Sequence, residues 1–113
     1  MAAQLVHVIS FVDDLEGAIA FYRDVLGFKL RFSSPGWVEF ETGSTSFALH
    51  PATPEVPAGT VKLGVRVESL DAFRATLAQQ GLAFTREPEV VHGIRLAEFR
   101  GPSGAPVSVS API

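Results

Sequence analysis

The chain of 113 residues is long enough for one domain with a single core and too short for two. Hydrophobic residues make up 47% and charged residues 19%, which predicts a packed globular fold rather than disorder. A net charge of -3 with no cluster of Lys and Arg argues against nucleic acid as a partner, and the lack of cysteine excludes disulfides, thiolate nucleophiles and Cys-based metal centres.

Residues 5–12, LVHVISFV, read as a strand with mostly buried faces, interrupted by His7. The start of the chain has neither the basic head nor the apolar run of a signal peptide. No stretch approaches the roughly 20 apolar residues that cross a bilayer, so the expectation is a cytoplasmic protein without membrane contact. Asp13 and Asp14 are helix-capping residues, and Glu16 stands three after Asp13 as a capping box requires. Leu15, Ala18, Ile19, Tyr22, Val25 and Leu26 then recur at helical spacing and predict one apolar stripe, closed by Gly27. FKLRF, WVEFET and SFALHP come next as strands, with Ser-Pro-Gly and Thr-Gly-Ser as turns.

The second half repeats this order. A strand at 61–67 reaches the caps Glu68 and Ser69, and Leu70, Phe73, Leu77 and Ala78 form a stripe closed by Gly81. AFTRE, GIRLAEF and APVSVSA are the remaining strands. Leu15 and Leu70 lie 55 residues apart, and VEF at 38–40 matches AEF at 97–99. The expected organisation is a single domain, 1–113, with module one at about 1–52, a Pro-rich linker at about 53–59 and module two at about 60–113. A helix covers only one face of each sheet, so the other face must meet a ligand, the partner module or both.

HVISFVDDLEGAIAFYRDVLGF, residues 7–28, resembles the opening of the vicinal oxygen chelate superfamily, which includes glyoxalase I, extradiol dioxygenases, fosfomycin-resistance enzymes and bleomycin-resistance proteins. The resemblance extends over essentially the whole chain. AFYRDVLGF (20–28) is its most specific part, and EFRGPSGAPVSV (98–109) is a degraded form of the family's closing FRDPDGNxIEL pattern. It implies an α+β fold of two βαβββ modules forming a cupped mixed sheet with the helices on the outer face, commonly as a homodimer. In members that are enzymes, side chains from four strands hold a divalent metal in the cup.

Carried onto this sequence, those four positions are His7, Ala48, Lys62 and Ser108. A zinc or iron site needs at least three protein donors, and manganese or magnesium favours carboxylates. An imidazole, a methyl group, an ammonium and a hydroxyl do not meet either need, so no metal and no cofactor are expected. His50, two residues beyond Ala48 and about 7 Å along the strand, would join a site only if that site had shifted. Glu39 and Glu98 are repeat mates, which suggests a shared structural role at least as strongly as a functional one.

The expected activity is therefore metal-free binding of a small molecule, aromatic or anionic, in the cup between the modules, as in the bleomycin-resistance branch. His7, Lys62, Arg66 and Ser108 are its candidate polar contacts; Phe11 and Trp37 are its candidate aromatic walls, with Ala48 and His50 beside them. Phe47 shares the alternation of Leu49 and is expected under the first helix. No catalytic residue is assigned. The alternatives are a glyoxalase-like lyase, isomerase or dioxygenase with a site rebuilt from His7, His50 and a glutamate, a His7/Lys62 acid and base pair, and an accessory module without a ligand. For Lys62 the plain alternative is a side chain that reaches solvent from the start of its strand.

Overall fold

Alternating β-branched and aromatic residues make the first element a strand, β1 (Gln4–Val12). The run ends at Asp14, whose side chain accepts a hydrogen bond from the Gly17 amide and starts α1 (Leu15–Ala20). The N-cap is therefore Asp14, and the expected Asp13–Glu16 capping box is replaced by a single-sided cap, because glycine stands where a box needs Glu or Gln. A cap this close leaves no room for a side chain at Gly17: a Cβ there would lie 2.4 Å from the Asp14 carboxylate.

The structure is a computed structural model and describes residues 2–113. After α1 a π-helical turn (Phe21–Val25) leads to β2 (Lys29–Ser33), β3 (Val38–Glu41) and β4 (Ser46–Pro51). The second half runs β5 (Val61–Arg66), α2 (Leu70–Gln79), β6 (Arg86–Val91), β7 (Ile94–Arg100) and β8 (Pro106–Pro112). The class is α+β, and βαβββ occurs twice, as the sequence indicates. The strand expected at 83–87 begins three residues later, at Arg86. None of the helices among the described residues is long and apolar enough to cross a membrane.

Two compact units divide the chain: Val6–Val61, and Lys62–Ile113 together with the chain up to Leu5. In the first, the strand order is β2-β3-β4-β1, with β1 parallel to β4 and β3 antiparallel to β4 and β2. In the second it is β5-β8-β7-β6, with β5 parallel to β8 and β7 antiparallel to β8 and β6. Each module is thus a mixed sheet of the same topology.

On one face of the first sheet, buried Val38, Phe40 and Leu49 pack against Leu15, Ala18, Ile19, Tyr22 and Phe28 of the helical segment. Phe47 joins this cluster, as its alternation with Leu49 predicts. Val25 and Leu26 do not: they are 67% and 50% exposed. The π turn is the reason, since an i to i+5 turn inserts a residue and rotates the next ones off the 3.6-residue stripe. Phe28 takes the place they vacate, and Gly27 turns the chain with φ +73° so that the Phe28 amide bonds the Tyr22 carbonyl at 2.9 Å.

In the second unit, Leu70, Leu77, Phe84, Ala97, Val109 and Ala111 form the core, with Val65, Val67, Phe73 and Phe99 packed on it. Ser69 caps α2 through the Ala72 amide at 3.2 Å. Ala78, expected in the apolar stripe, is exposed. Leu63 is also largely exposed, whereas Val65 and Val67 pack as their alternation requires. The β6–β7 hairpin turns on His92 and Gly93, both with positive φ, the geometry that matches a two-residue turn to twisted strands.

Candidate functional site

The face of the first sheet away from α1 carries most of the candidate side chains of the first unit. Even numbers on β4 and odd numbers on β1 and β3 point there, because side chains alternate along a strand. Ile9, Phe11 and Ala48 form a small buried cluster on this face, with Trp37 and Val56 packed against it. The segment after β4 is no loose tether. The Ala52 amide bonds the Val12 carbonyl at 2.8 Å, the Gly59 amide bonds the Phe11 carbonyl at 2.9 Å, and Val56 is laid on the cluster. Phe11 and Ala48 are 4% and 0% exposed as a result.

Beside that cluster stands a polar one. In register, His7 neighbours Ser46 on β4, and Ala48 neighbours Glu39 on β3. Because Ser46 and Ala48 are short, His7 and Glu39 meet over them, Nε2 to Oε1 at 3.2 Å. The same Oε1 accepts a bond from the Trp37 indole N–H at 3.1 Å, and Oε2 accepts one from Arg31 Nη1 at 3.0 Å. Arg31 also reaches the Ser46 hydroxyl at 3.2 Å. Trp37 is placed by the turn before β3: the Ser34 amide donates to the Trp37 carbonyl at 2.9 Å, and the Trp37 amide donates to the Ser34 hydroxyl at 3.1 Å. Its ring lies edge-on to the His7 ring, with centroids 5.3 Å apart.

Burial pushes the Glu39 carboxyl up. The Trp37 hydrogen bond, the charge and hydrogen bond of His7 and the Arg31 hydrogen bond outweigh that and hold it below the ordinary carboxylate value. Glu39 is therefore an ionised hub with three donors converging on it.

The second unit repeats the arrangement. Lys62 on β5 reaches across β8 to Glu98 Oε2 on β7 at 3.3 Å, and Arg86 on β6 approaches the same oxygen at 3.5 Å. Ser108, the short residue beneath, is in register with Gly64 on one side and Glu98 on the other. Lys62 is buried at 8% exposure, so its side chain does not run out to solvent, and the plain alternative for it is corrected. Arg66, four residues along β5, is exposed beside a shallow depression lined by Gln4, Glu68 and Pro112.

His50 is not part of the His7 cluster. It is in register with Phe11 on β1, four residues or about 13 Å along from His7, and its ring packs on Phe11 with centroids 4.8 Å apart. Its Nδ1 donates to the Pro51 carbonyl at 2.7 Å. The structure thus brings His7 and Trp37 together around Glu39, pairs Lys62 with Glu98 above Ser108, seals Phe11 and Ala48, and leaves His50 and Arg66 apart. Sequence reasoning does not single out Arg31 and Arg86. They stand 55 residues apart, the spacing of His7 and Lys62, which is the signal that marks them.

The divalent metal that the resemblance implies does not fit these residues. At the two family positions of module one stand His7, whose Nε2 faces Glu39, and Ala48, which has no donor. Glu39 could add a carboxylate, but the Arg31 guanidinium already occupies it. In module two the positions are an ammonium and a hydroxyl, and Glu98 lies between Lys62 and Arg86. Among the described residues no three His, Cys, Asp or Glu side chains are grouped to hold an ion.

Solved structures share the fold. One described as an NAD-dependent benzaldehyde dehydrogenase from Legionella pneumophila is 15% identical over 95% of this chain and 98% of its own, with a TM-score of 0.77. Methylmalonyl-CoA epimerase from Mycobacterium tuberculosis is 24% identical over 97% of this chain and 88% of its own, with a TM-score of 0.73. The antibiotic-binding protein TnmS3 from a Streptomyces species is 30% identical over 100% of this chain and 99% of its own, with a TM-score of 0.46. A comparison with curated proteins finds no match. Residues 4–109 match the pattern described as the Glyoxalase/Bleomycin resistance protein/Dioxygenase superfamily, and the chain belongs to that superfamily.

Proposed function

We propose that this protein binds a small organic molecule without a metal ion and that binding, rather than turnover, is its activity. One observation carries the reading: the imidazole at the family's first metal position is held by an internal carboxylate that an arginine and an indole also hold. An ion entering there would have to break those bonds and sit beside a guanidinium, which raises its energy by like-charge repulsion. What the face offers instead is a fixed indole and a partly exposed imidazole, beside the sealed apolar cluster of Ile9, Phe11 and Ala48. Rigid aromatic surface with a few placed polar groups suits a small, flat ligand.

His7 and Trp37 are the proposed contacts. A homodimer in the cytoplasm belongs to the same reading, and sedimentation equilibrium measures the first part of it.

Thermal-shift screening against metabolites and aromatic antibiotics, with and without divalent ions, tests the proposal, since a ligand that binds only the folded state raises Tm by mass action. The expected result is a shift that survives chelator and is lost in His7→Ala without loss of the fold. Zinc, nickel, manganese or iron retained at one per chain through purification would overturn it.

A further inference from the structure

We infer that Glu39 sets which ring nitrogen of His7 a ligand meets. When the ring is neutral, the Glu39 carboxylate keeps its proton on Nε2, which leaves Nδ1 as the acceptor. The ligand class this favours is an uncharged planar aromatic that carries an O–H or N–H donor.

The chemistry of the hub comes first. An ionised carboxylate only accepts hydrogen bonds, so a nitrogen at 3.2 Å from Glu39 Oε1 makes that bond by carrying the proton itself. In a neutral imidazole one nitrogen donates and the other accepts, so fixing Nε2 as donor fixes Nδ1 as acceptor. His7 is half-buried, and among the described residues its Nδ1 has no hydrogen-bond partner. Among the described residues no side-chain polar atom of a covered residue is both sealed from solvent and without a partner. Nδ1 therefore opens outward, and a ligand completes it by donating.

Charge narrows the class further. Arg31, at 3.0 Å, neutralises Glu39, so the cluster with a neutral imidazole carries no net charge. It has neither a free cation to capture an anion nor a free carboxylate to capture an amine. Glu39 also ties the Trp37 indole through Nε1, so the ring face next to His7 is fixed before the ligand arrives. Of the two ligand types that the sequence suggests, aromatic and anionic, this geometry selects the first. The ligand class rests on the binding reading above; the state of the imidazole does not.

Two measurements test the inference separately. Long-range nitrogen–proton NMR of the imidazole, with no ligand and at a pH where the ring is neutral, is expected to show Nδ1 as the bare nitrogen. A proton found on Nδ1 would overturn the assignment. In Glu39→Gln the amide can donate to Nε2, so the proton is expected to move toward Nδ1; an unchanged ring would remove Glu39 from the role. If that variant does not fold, the wild-type spectrum still decides.

For the ligand class, calorimetry compares 2-naphthol, 2-methoxynaphthalene and 2-naphthoate. The naphthol is expected to bind roughly two- to tenfold tighter than its methyl ether, the worth of one net hydrogen bond, with little dependence on salt. Equal affinity of naphthol and ether, preference for the naphthoate, or no binding by any of the three would overturn the ligand class. The broad screen with chelator judges the binding reading independently of these probes.

Discussion

His7 on β1 and Glu39 on β3 are bonded at 3.2 Å across the strand that separates them, and Lys62 on β5 reaches Glu98 on β7 at 3.3 Å across β8 in the same way. Each bridge passes over a short side chain, Ala48 in one module and Ser108 in the other, at the positions where relatives are expected to carry metal ligands. In each module a carboxylate one strand further out holds the basic residue, Glu39 holding His7 and Glu98 holding Lys62.

Removing the hub costs stability. Glu39→Ala leaves the Trp37 indole N–H, His7 and Arg31 without their acceptor on a face where both rings are half covered. Urea unfolding is expected to show a loss of about 1–3 kcal/mol, with a smaller loss for Glu39→Gln, which keeps one acceptor oxygen. A Glu39→Ala midpoint equal to that of the wild type would show that the three bonds contribute nothing net.

Acid separates these proteins in a defined direction. The folded-state value of Glu39 lies below its unfolded value of about 4.5, so its contribution is fully present above that pH and fades as pH falls through the folded value. The stability gap between wild type and Glu39→Gln is therefore expected to close as pH falls below about 4.5. Asp24 and Glu87 are also held low, by Arg23 and Arg74, but both variants share that background. A gap that widened in acid would reverse the sign of the argument.

Lys62 and Glu98 respond unequally. Glu98→Ala takes an ion partner from a buried ammonium and is expected to cost about 3 kcal/mol by calorimetric or denaturant unfolding. Lys62→Met keeps the apolar stem and leaves Glu98 with Arg86, so its cost is expected to be smaller. The reverse order would mean that Lys62, not Glu98, is the member the module cannot lose.

At the start of α1, Asp14→Ala removes the side-chain bond to the Gly17 amide. Loss of a single N-cap of this kind is expected to lower stability by about 1 kcal/mol without changing ligand affinity, since the proposed contacts His7 and Trp37 lie on the opposite face of the sheet. Calorimetry on this variant separates helix packing from the polar cluster.

The doubled βαβββ order was legible because periodicity, caps and glycines agree at each step: Gly27 and Gly81 both take φ +73° and both close a helical segment. The π turn was not legible. Val25 and Leu26 have the right residue type for the stripe, and only the extra residue in the backbone turn puts them outside it. At the site, the sequence offered His7 and Trp37 as candidate contacts, and the repeat paired Glu39 with Glu98. That the carboxylates are bonded to His7 and Lys62, with Arg31 and Arg86 joining them, depends on strand register, which connects residues 32 and 36 apart in the chain.

The sequence by itself determined the two matching modules and the scarcity of metal donors at the four family positions, because both derive from residue type and spacing. Tertiary structure alone decided which of those residues remain accessible. Val56 folds back over Phe11 and Ala48, and the strand order brings Glu39 within bonding reach of His7. Local propensity fixes what each segment becomes, but contact between side chains on different strands is set only when the register of the whole sheet is in place.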